Sequence, residues 1–267
     1  MAFFVLMSNN PIGIFDSGLG GLSVWRELIK ILPNENIIYY ADSANCPYGQ
    51  KSKDEVIHLV QKIVNFLLQK NCKMIVVACN TATAAAIDYL RENYNIPFIG
   101  MEPAVKPASL NSKTKSIAVL ATEGTFNGRL YLETSARFAN DVKINIKVGD
   151  RLVDIVENGL INEDDTYKHL QGLIKPLVDL DIDHVVLGCT HYPFLIPVLK
   201  KILPRKVKII DPAPAVAKQA YRVLEANQLL NNVKDKPRHE FYTSGDLSII
   251  EQFLRKITKK ENSIYKV

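Results

Sequence analysis

Short apolar runs recur along the chain, each closing in a small polar turn and giving way to residues spaced as an amphipathic helix. Met74-Ile75-Val76-Val77 is the clearest of them. It is rich in β-branched residues and lacks polar alternation, so it reads as a strand buried on both faces. The alanine-rich residues after Thr81 read as the helix that follows it. His184-Val185-Val186-Leu187 repeats the design, with Pro193 suited to the first turn of the next helix. Further strands are expected at residues 11–16, 36–42, 96–101, 116–122, 142–148, 207–211 and 239–243. Helices are expected at 22–32, from the Ser52–Glu55 capping box through Leu67, from Thr81 to Asn93, and at 152–158, 212–228 and 246–257. Another runs over 163–180, interrupted or kinked at Pro176. Pro103 and Pro107 are expected to bracket a break, and His58 to be a structural residue beside the apolar stripe of its helix.

Strands alternating with helices predict parallel α/β sheets. Cys189 stands 110 positions after Cys79 in the same strand-end context, which predicts two similar halves. The expected architecture is two parallel-sheet α/β domains, residues 1–101 plus 211–267 and residues 102–210, with strand C-termini lining a shared cleft.

Composition narrows the function classes. With 47% hydrophobic and 23% charged residues the chain can bury a large core. The net charge of +5 comes from scattered lysines and from Lys256, Lys259, Lys260 and Lys266 near the C-terminus. No basic stripe is interleaved with aromatics, so a solvated surface is expected and a nucleic-acid partner is not. The apolar stretch from Ala2 to Met7 is too short for a signal core, and no run approaches a membrane span. The four cysteines, Cys46, Cys72, Cys79 and Cys189, show no CxxC spacing, which fits a reduced, cytoplasmic protein with free thiols.

The chemistry-bearing residues lie at the strand ends. In open parallel sheets ligands bind at that edge, and the free N–H groups of the next helix are expected to lower the pKa of Cys79. Gly18-Leu19-Gly20-Gly21 follows the first strand, but Ser23 stands where a dinucleotide fingerprint needs glycine. The glycines are instead expected to let backbone approach a small anion such as a carboxylate. Asp16 is the adjacent ionisable group, or a helix cap.

Two thiols facing across a cleft suit two-base proton transfer: one thiolate removes a proton from carbon and the opposite thiol returns one to the other face. His191 or Asp16 would hold each sulfur in the required protonation state, and Asn and Thr side chains would orient the substrate. Other uses remain open. Each cysteine alone could be a buried hydrophobe; Cys79, Cys189 and His191 could contribute to zinc, though Cys-x-His is an unusual structural spacing; the pair could be redox-active. A Cys-His hydrolase and a non-catalytic amino-acid binding protein are the rivals from other classes.

Taken together, the segment from Gly13 to Val24, Cys46-Pro47-Tyr48-Gly49, Ala78-Cys79-Asn80-Thr81-Ala82-Thr83 and Leu187-Gly188-Cys189-Thr190-His191-Tyr192-Pro193 resemble the glutamate racemase family over nearly the whole chain. The Cys-Asn-Thr and Gly-Cys-Thr elements are shared with aspartate and hydantoin racemases. The resemblance implies that Cys79 acts on the D-face proton and Cys189 on the L-face proton. It implies that Asp16 assists Cys79, and that His191 and Glu157 assist Cys189. Substrate contacts are implied for Asp16, Ser17, Tyr48, Gly49, Asn80, Thr81, Thr122, Thr125, Thr190 and His191. It further implies no metal and no cofactor, L- and D-glutamate as substrates, a homodimer, and supply of D-glutamate for peptidoglycan. An aspartate or other amino-acid racemase is the alternative within the class. Val148-Gly149-Asp150-Arg151 departs from the Cys-Pro-type segment that often precedes the Glu157 stretch in the family.

Overall fold

The computed structural model describes residues 7–138, 140–233, 235–258 and 263–267. Lys259, Lys260 and the apolar N-terminal stretch up to Leu6 lie outside them. In chain order, β1 (Ile12–Asp16) passes through the glycine-rich turn into α1 (Leu22–Ile31). Next, β2 (Ile37–Ala41) leads through two single 3₁₀ turns, Ser43–Asn45 and Tyr48–Gln50, into α2 (Lys53–Gln69). The first cysteine unit is β3 (Met74–Val77) with α3 (Asn80–Asn93), followed by β4 (Phe98–Ile99) and α4 (Val105–Asn111). Then come β5 (Ser116–Ala121), α5 (Glu123–Phe126), α6 (Arg129–Phe138), β6 (Lys143–Val148), α7 (Leu152–Glu157) and α8 (Asp164–Val178). The second cysteine unit is β7 (His184–Gly188), a 3₁₀ turn Tyr192–Leu195 and α9 (Ile196–Ile202). The chain ends in β8 (Lys208–Ile210), α10 (Ala213–Ala226), β9 (His239–Thr243), α11 (Leu247–Ile257) and β10 (Ser263–Lys266).

These strands form two sheets, ordered β10-β9-β2-β1-β3-β4 and β6-β5-β7-β8, and every pairing is parallel. Parallel sheets covered by helices on both faces call for continuous apolar strands, and β1, β3, β5 and β7 are buried throughout. In each sheet the strand order reverses beside one strand. Chain order runs from β1 outward to β2 and then back across to β3, and likewise from β5 to β6 and across to β7. Both cysteine units therefore sit at a switch point, where loops after adjacent strands splay apart and leave a crevice. The pairing of Phe15 with Val77 puts Cys79 beside Asp16 and Ser17. Likewise the pairing of Ala121 with Gly188 puts Cys189 beside Thr122.

Several expectations change. The strand at 96–101 shrinks to β4, and the break falls at residues 100–104, ending short of Pro107, which lies in the first turn of α4 where a missing N–H costs nothing. Helix α6 and strand β10 were not among the expected elements. Helix α8 runs through Pro176 and stops only two residues later. His58 lies exposed on the solvent side of α2. The Ser52/Glu55 capping box is formed in full.

One apolar cluster is continuous between the sheets. Leu22 and Trp25 of α1 and Ile250 of α11 belong to it together with Leu152 and Val156 of α7 and Tyr192 and Leu195 near Cys189. Phe194 packs edge-on against Phe253 across this boundary, with ring centroids 4.8 Å apart.

At the opposite end of the first sheet, Lys73 Nζ lies 2.6 Å from Glu35 Oε2, with both side chains buried. The Asn231 N–H donates to the other carboxylate oxygen at 2.8 Å, and Lys73 also donates to the Ser8 carbonyl. Removing one partner of such a pair strands a buried charge. Lys73→Met is therefore expected to cost about 3–5 kcal/mol in urea unfolding, and Lys73→Met with Glu35→Gln to recover part of that loss.

Candidate active site

The C-terminal ends of β1, β3, β5 and β7 meet around a small cavity of about 10 Å³, near the space of one water. Its wall includes both Cys79 and Cys189. Eight further side chains or backbones named from the sequence line it: Ser17, Tyr48, Gly49, Asn80, Thr81, Thr122, Thr125 and Thr190. His191 lines it as well. Asp16 and Glu157 do not: they stand behind the wall, each against a side chain that does.

Cys79 is the N-cap of α3, and its Sγ accepts from the Ala82 N–H at 3.4 Å. Ser17 Oγ lies 3.8 Å from the same sulfur. The strand-end position was expected to lower this thiol's pKa, yet the structure does the reverse. Complete burial pushes it well above the ordinary value, the carboxylate of Asp16 adds to that, and the Ala82 N–H offsets only part. Asp16 is itself pushed up by burial, against the opposing influence of His191 and the Gly21 N–H. Its Oδ2 accepts from Gly21 at 2.6 Å and from Thr190 Oγ1 at 3.3 Å. The second of these bonds joins the two halves.

On the other wall, Cys189 Sγ is 3.6 Å from His191 Nδ1, and His191 Nε2 is 2.5 Å from Glu157 Oε1. Burial alone would neutralise this imidazole. Its contacts with Cys189, Cys46 and Glu157 outweigh burial and hold its pKa well above the ordinary value. As a cation it donates from both ring nitrogens. The Gly20 N–H, 3.3 Å from Nε2, then has no lone pair to use there, and the shorter contact with Glu157 prevails.

The glycine-rich turn does meet a carboxylate, but one belonging to the chain itself. The Leu19 N–H donates to Glu157 Oε1 at 2.6 Å. A Cβ on Gly18 would fall 2.2 Å from that oxygen, and one on Gly20 would fall 2.3 Å from His191 Nδ1. The glycines are needed because two halves of the molecule touch there.

The remaining wall is hydrogen-bonded in a way that marks what is free. Thr122 Oγ1 lies 2.9 Å from both Thr81 Oγ1 and Thr125 Oγ1. The Tyr48 hydroxyl is committed to Asp42 at 2.6 Å, so the ring faces the cavity and the oxygen does not serve it. Both side-chain amide atoms of Asn80 are buried without a partner. Pro47 and Val153 also line the cavity and were not singled out from sequence. Asp42, at the end of β2, was missed too; its strand-end position was the available signal. Cys46 approaches Ser17 Oγ at 4.0 Å and stands with Glu157 and His191. Those three, rather than Cys79, Cys189 and His191, are the side chains whose metal-binding atoms converge among the described residues.

Comparison with known proteins gives a consistent result. The model of the family Asp/Glu/Hydantoin racemase matches residues 12–220. A glutamate racemase of Herpetosiphon aurantiacus is 44% identical over 240 residues, covering 90% of this chain and 94% of that protein. Among solved structures, a glutamate racemase isoform of Bacillus anthracis superposes with a TM-score of 0.89 at 35% identity, over 97% of this chain and 98% of that one. A glutamate racemase of Francisella tularensis, solved in complex with D-glutamate, gives 0.83 at 32% identity over 98% of each.

Gly20→Ala tests the contact between the halves, because the added methyl meets an imidazole ring fixed on both sides. Such overpacking costs about 1–3 kcal/mol, so a form with the walls apart gains weight. Labelling of Cys79 and Cys189 by a thiol reagent, mapped by mass spectrometry, is expected to accelerate about tenfold or more, with Cys72 labelling unchanged.

Proposed function

The chain belongs to the Asp/Glu/Hydantoin racemase family, and from that premise we propose that it interconverts L- and D-glutamate by two-base proton transfer between Cys79 and Cys189. It is an isomerase. The observation that carries the two-base reading is that one cavity has a thiol on each of two walls, each wall built by the same strand-end device at a sheet switch point.

In the D-to-L direction the Cys79 thiolate takes the Cα proton and the Cys189 thiol gives one to the opposite face. The enzyme then holds a Cys79 thiol and a Cys189 thiolate, and the reverse turnover restores the first state. Asp16, fully buried beside Cys79, tunes the proton affinity of that sulfur. His191 exchanges a proton with Cys189 through Nδ1, and Glu157 orients the ring from Nε2. The unpaired Asn80 amide, the Thr81-Thr122-Thr125 hydroxyls, Ser17, Gly49 and Thr190 hold the substrate's amino and carboxylate groups, with Tyr48 and His191 completing the wall. Asp16 contributes from behind it. Substrate must enter a form in which the walls stand apart, since a cavity the size of one water cannot admit an amino acid.

The finer assignments belong to the same proposal. Residues 1–101 plus 211–267 form the domain of Cys79 and residues 102–210 that of Cys189. The protein works as a homodimer in the cytoplasm, and its D-glutamate supplies peptidoglycan. Support for the compartment comes from the four unpaired cysteines and from the absence, among the described residues, of any helix long and apolar enough to cross a membrane.

Two measurements test this reading. In deuterated solvent, with reductant and no added cofactor, the protein is expected to put deuterium on Cα of glutamate while optical rotation is lost. Exchange of aspartate in place of glutamate would overturn the substrate assignment. Cys79→Ser is expected to lower racemisation by about 10²–10⁴-fold, the scale of a lost general base, with folding intact; turnover at the original rate would remove Cys79 from the mechanism.

A pH profile tests the protonation states separately. Because D-glutamate must meet a Cys79 thiolate, and burial and Asp16 push that thiol upward, kcat/KM for D-glutamate is expected to climb with pH through the alkaline range. Asp16→Asn removes the like charge. The climb should then begin at lower pH, while the plateau falls through loss of the assisting group.

A further inference from the structure

Cys46 has no part in the proton transfer proposed above, yet it stands against the two residues assigned to Cys189. We propose that Cys46, Glu157 and His191 form a binding site for a thiophilic divalent cation, zinc foremost, and that an ion held there stops turnover. One thiol sulfur, one carboxylate oxygen and one imidazole nitrogen lie within 4.8 Å of one another, and no other such trio converges among the described residues. Tetrahedral zinc at its usual bond lengths sets ligand atoms about 3.4–3.6 Å apart. The 2.5 Å contact of Glu157 with His191 must therefore widen by roughly 1 Å and the longest separation must shorten by about as much, displacements within reach of side-chain rotation.

The surroundings favour an ion. The Leu19 N–H holds Glu157 Oε1 at 2.6 Å, an outer hydrogen bond of the kind that orients ligating carboxylates. Cys46 is only partly buried, which gives a path from solvent, and sulfur with nitrogen selects zinc or cobalt over magnesium or calcium. A water would complete the four-coordinate set. An ion at this point takes the place of the proton shared by Glu157 and His191, ties the imidazole ring to Cys46, and leaves Cys189 without the partner that positions its proton. The site would thus make the enzyme sensitive to free zinc without giving metal any role in the chemistry.

The loss of turnover rests on the role given to His191, whereas binding does not, and the two are read separately. Metal-free, reduced protein without substrate is titrated with cobalt(II), then with zinc by calorimetry. One ion per chain and a near-ultraviolet thiolate-to-cobalt charge-transfer band are expected. Both should weaken at least about tenfold in Cys46→Ala and in Cys46→Ser, and survive in Cys79→Ser. A band that persists in the Cys46 variants, or that depends on Cys79, overturns the site. In the second arm, zinc is expected to inhibit Cα exchange in the parent protein and to do so at least about tenfold less potently in Cys46→Ala. Equal sensitivity of the two overturns the proposed shut-off. Absence of exchange with glutamate in both, alongside the cobalt band, faults the substrate assignment and leaves the metal site standing.

Discussion

The contact on which this molecule depends is the one between the glycine-rich turn after β1 and the His191-Glu157 pair. It is a small surface, but it sets three things at once. It fixes the distance between the two thiol walls, it supplies Glu157 with the N–H of Leu19, and through Glu157 it orients the ring that faces Cys189. No side chain larger than hydrogen fits at residues 18 and 20 while those bonds are kept. A turn of this kind costs conformational entropy, roughly 0.5–1 kcal/mol for each glycine placed where alanine would otherwise serve. The return is that a backbone donor reaches a carboxylate on the other half, something no side chain on this turn could do at such range.

Burial, more than helix direction, governs the Cys79 thiol. A helix N-terminus contributes about 0.3–1 kcal/mol to a nearby negative charge. Fully burying an ionised group costs about 4–7 kcal/mol before compensation. At Cys79 the two act on one sulfur, together with the like charge of Asp16, and the larger wins: the thiol is held protonated. At His191 the same burial is overcome, because its contacts with Cys189, Cys46 and Glu157 all favour the cation. The walls are thus alike in strand-end position and unlike in charge, with the Asp16 carboxylate behind one sulfur and an imidazolium beside the other.

Much of this was legible in the sequence, because a parallel sheet writes itself plainly. Uninterrupted apolar strands such as Met74–Val77 and His184–Gly188, each ending in Cys-Asn-Thr or Cys-Thr-His, admit few other readings, and their repetition implied the two-sheet plan. The resemblance to a racemase family named the residues, and the fold gathers nearly all of them about one cavity. What stayed hidden depends on contacts distant in sequence. Glycines 18 and 20 looked ready for a ligand, because nothing local says that residues 157 and 191 will occupy that space. The expected drop in the Cys79 pKa failed for the same reason, since burial is a property of the closed molecule. Strand β10 escaped because it lies at a sheet edge, where little of each side chain is buried.

The closed cleft and the shared core together constrain how the molecule can work. Chain passes between the two sheets at β4 to α4 and at β8 to α10, through Pro103 and Pro212, so any separation of the walls turns about those crossings. Separation must also break the bonds that span the cleft, Thr81 to Thr122, Ser23 to the Thr190 carbonyl, and Asp16 to Thr190. Each contributes about 0.5–1.5 kcal/mol net, somewhat more where a charge takes part, and water replaces it on opening. The apolar cluster joining α1 and α11 to α7 and the turn after Cys189 resists more strongly, since exposing it costs about 25 cal/mol for every Å². A modest opening that parts the polar wall and spares the core is therefore the least costly route to a site large enough for an amino acid. In the proposed reaction, closing again would restore those bonds around the substrate, give the unpartnered Asn80 amide a partner, and expel the water that would otherwise compete for a carbanion between two thiols.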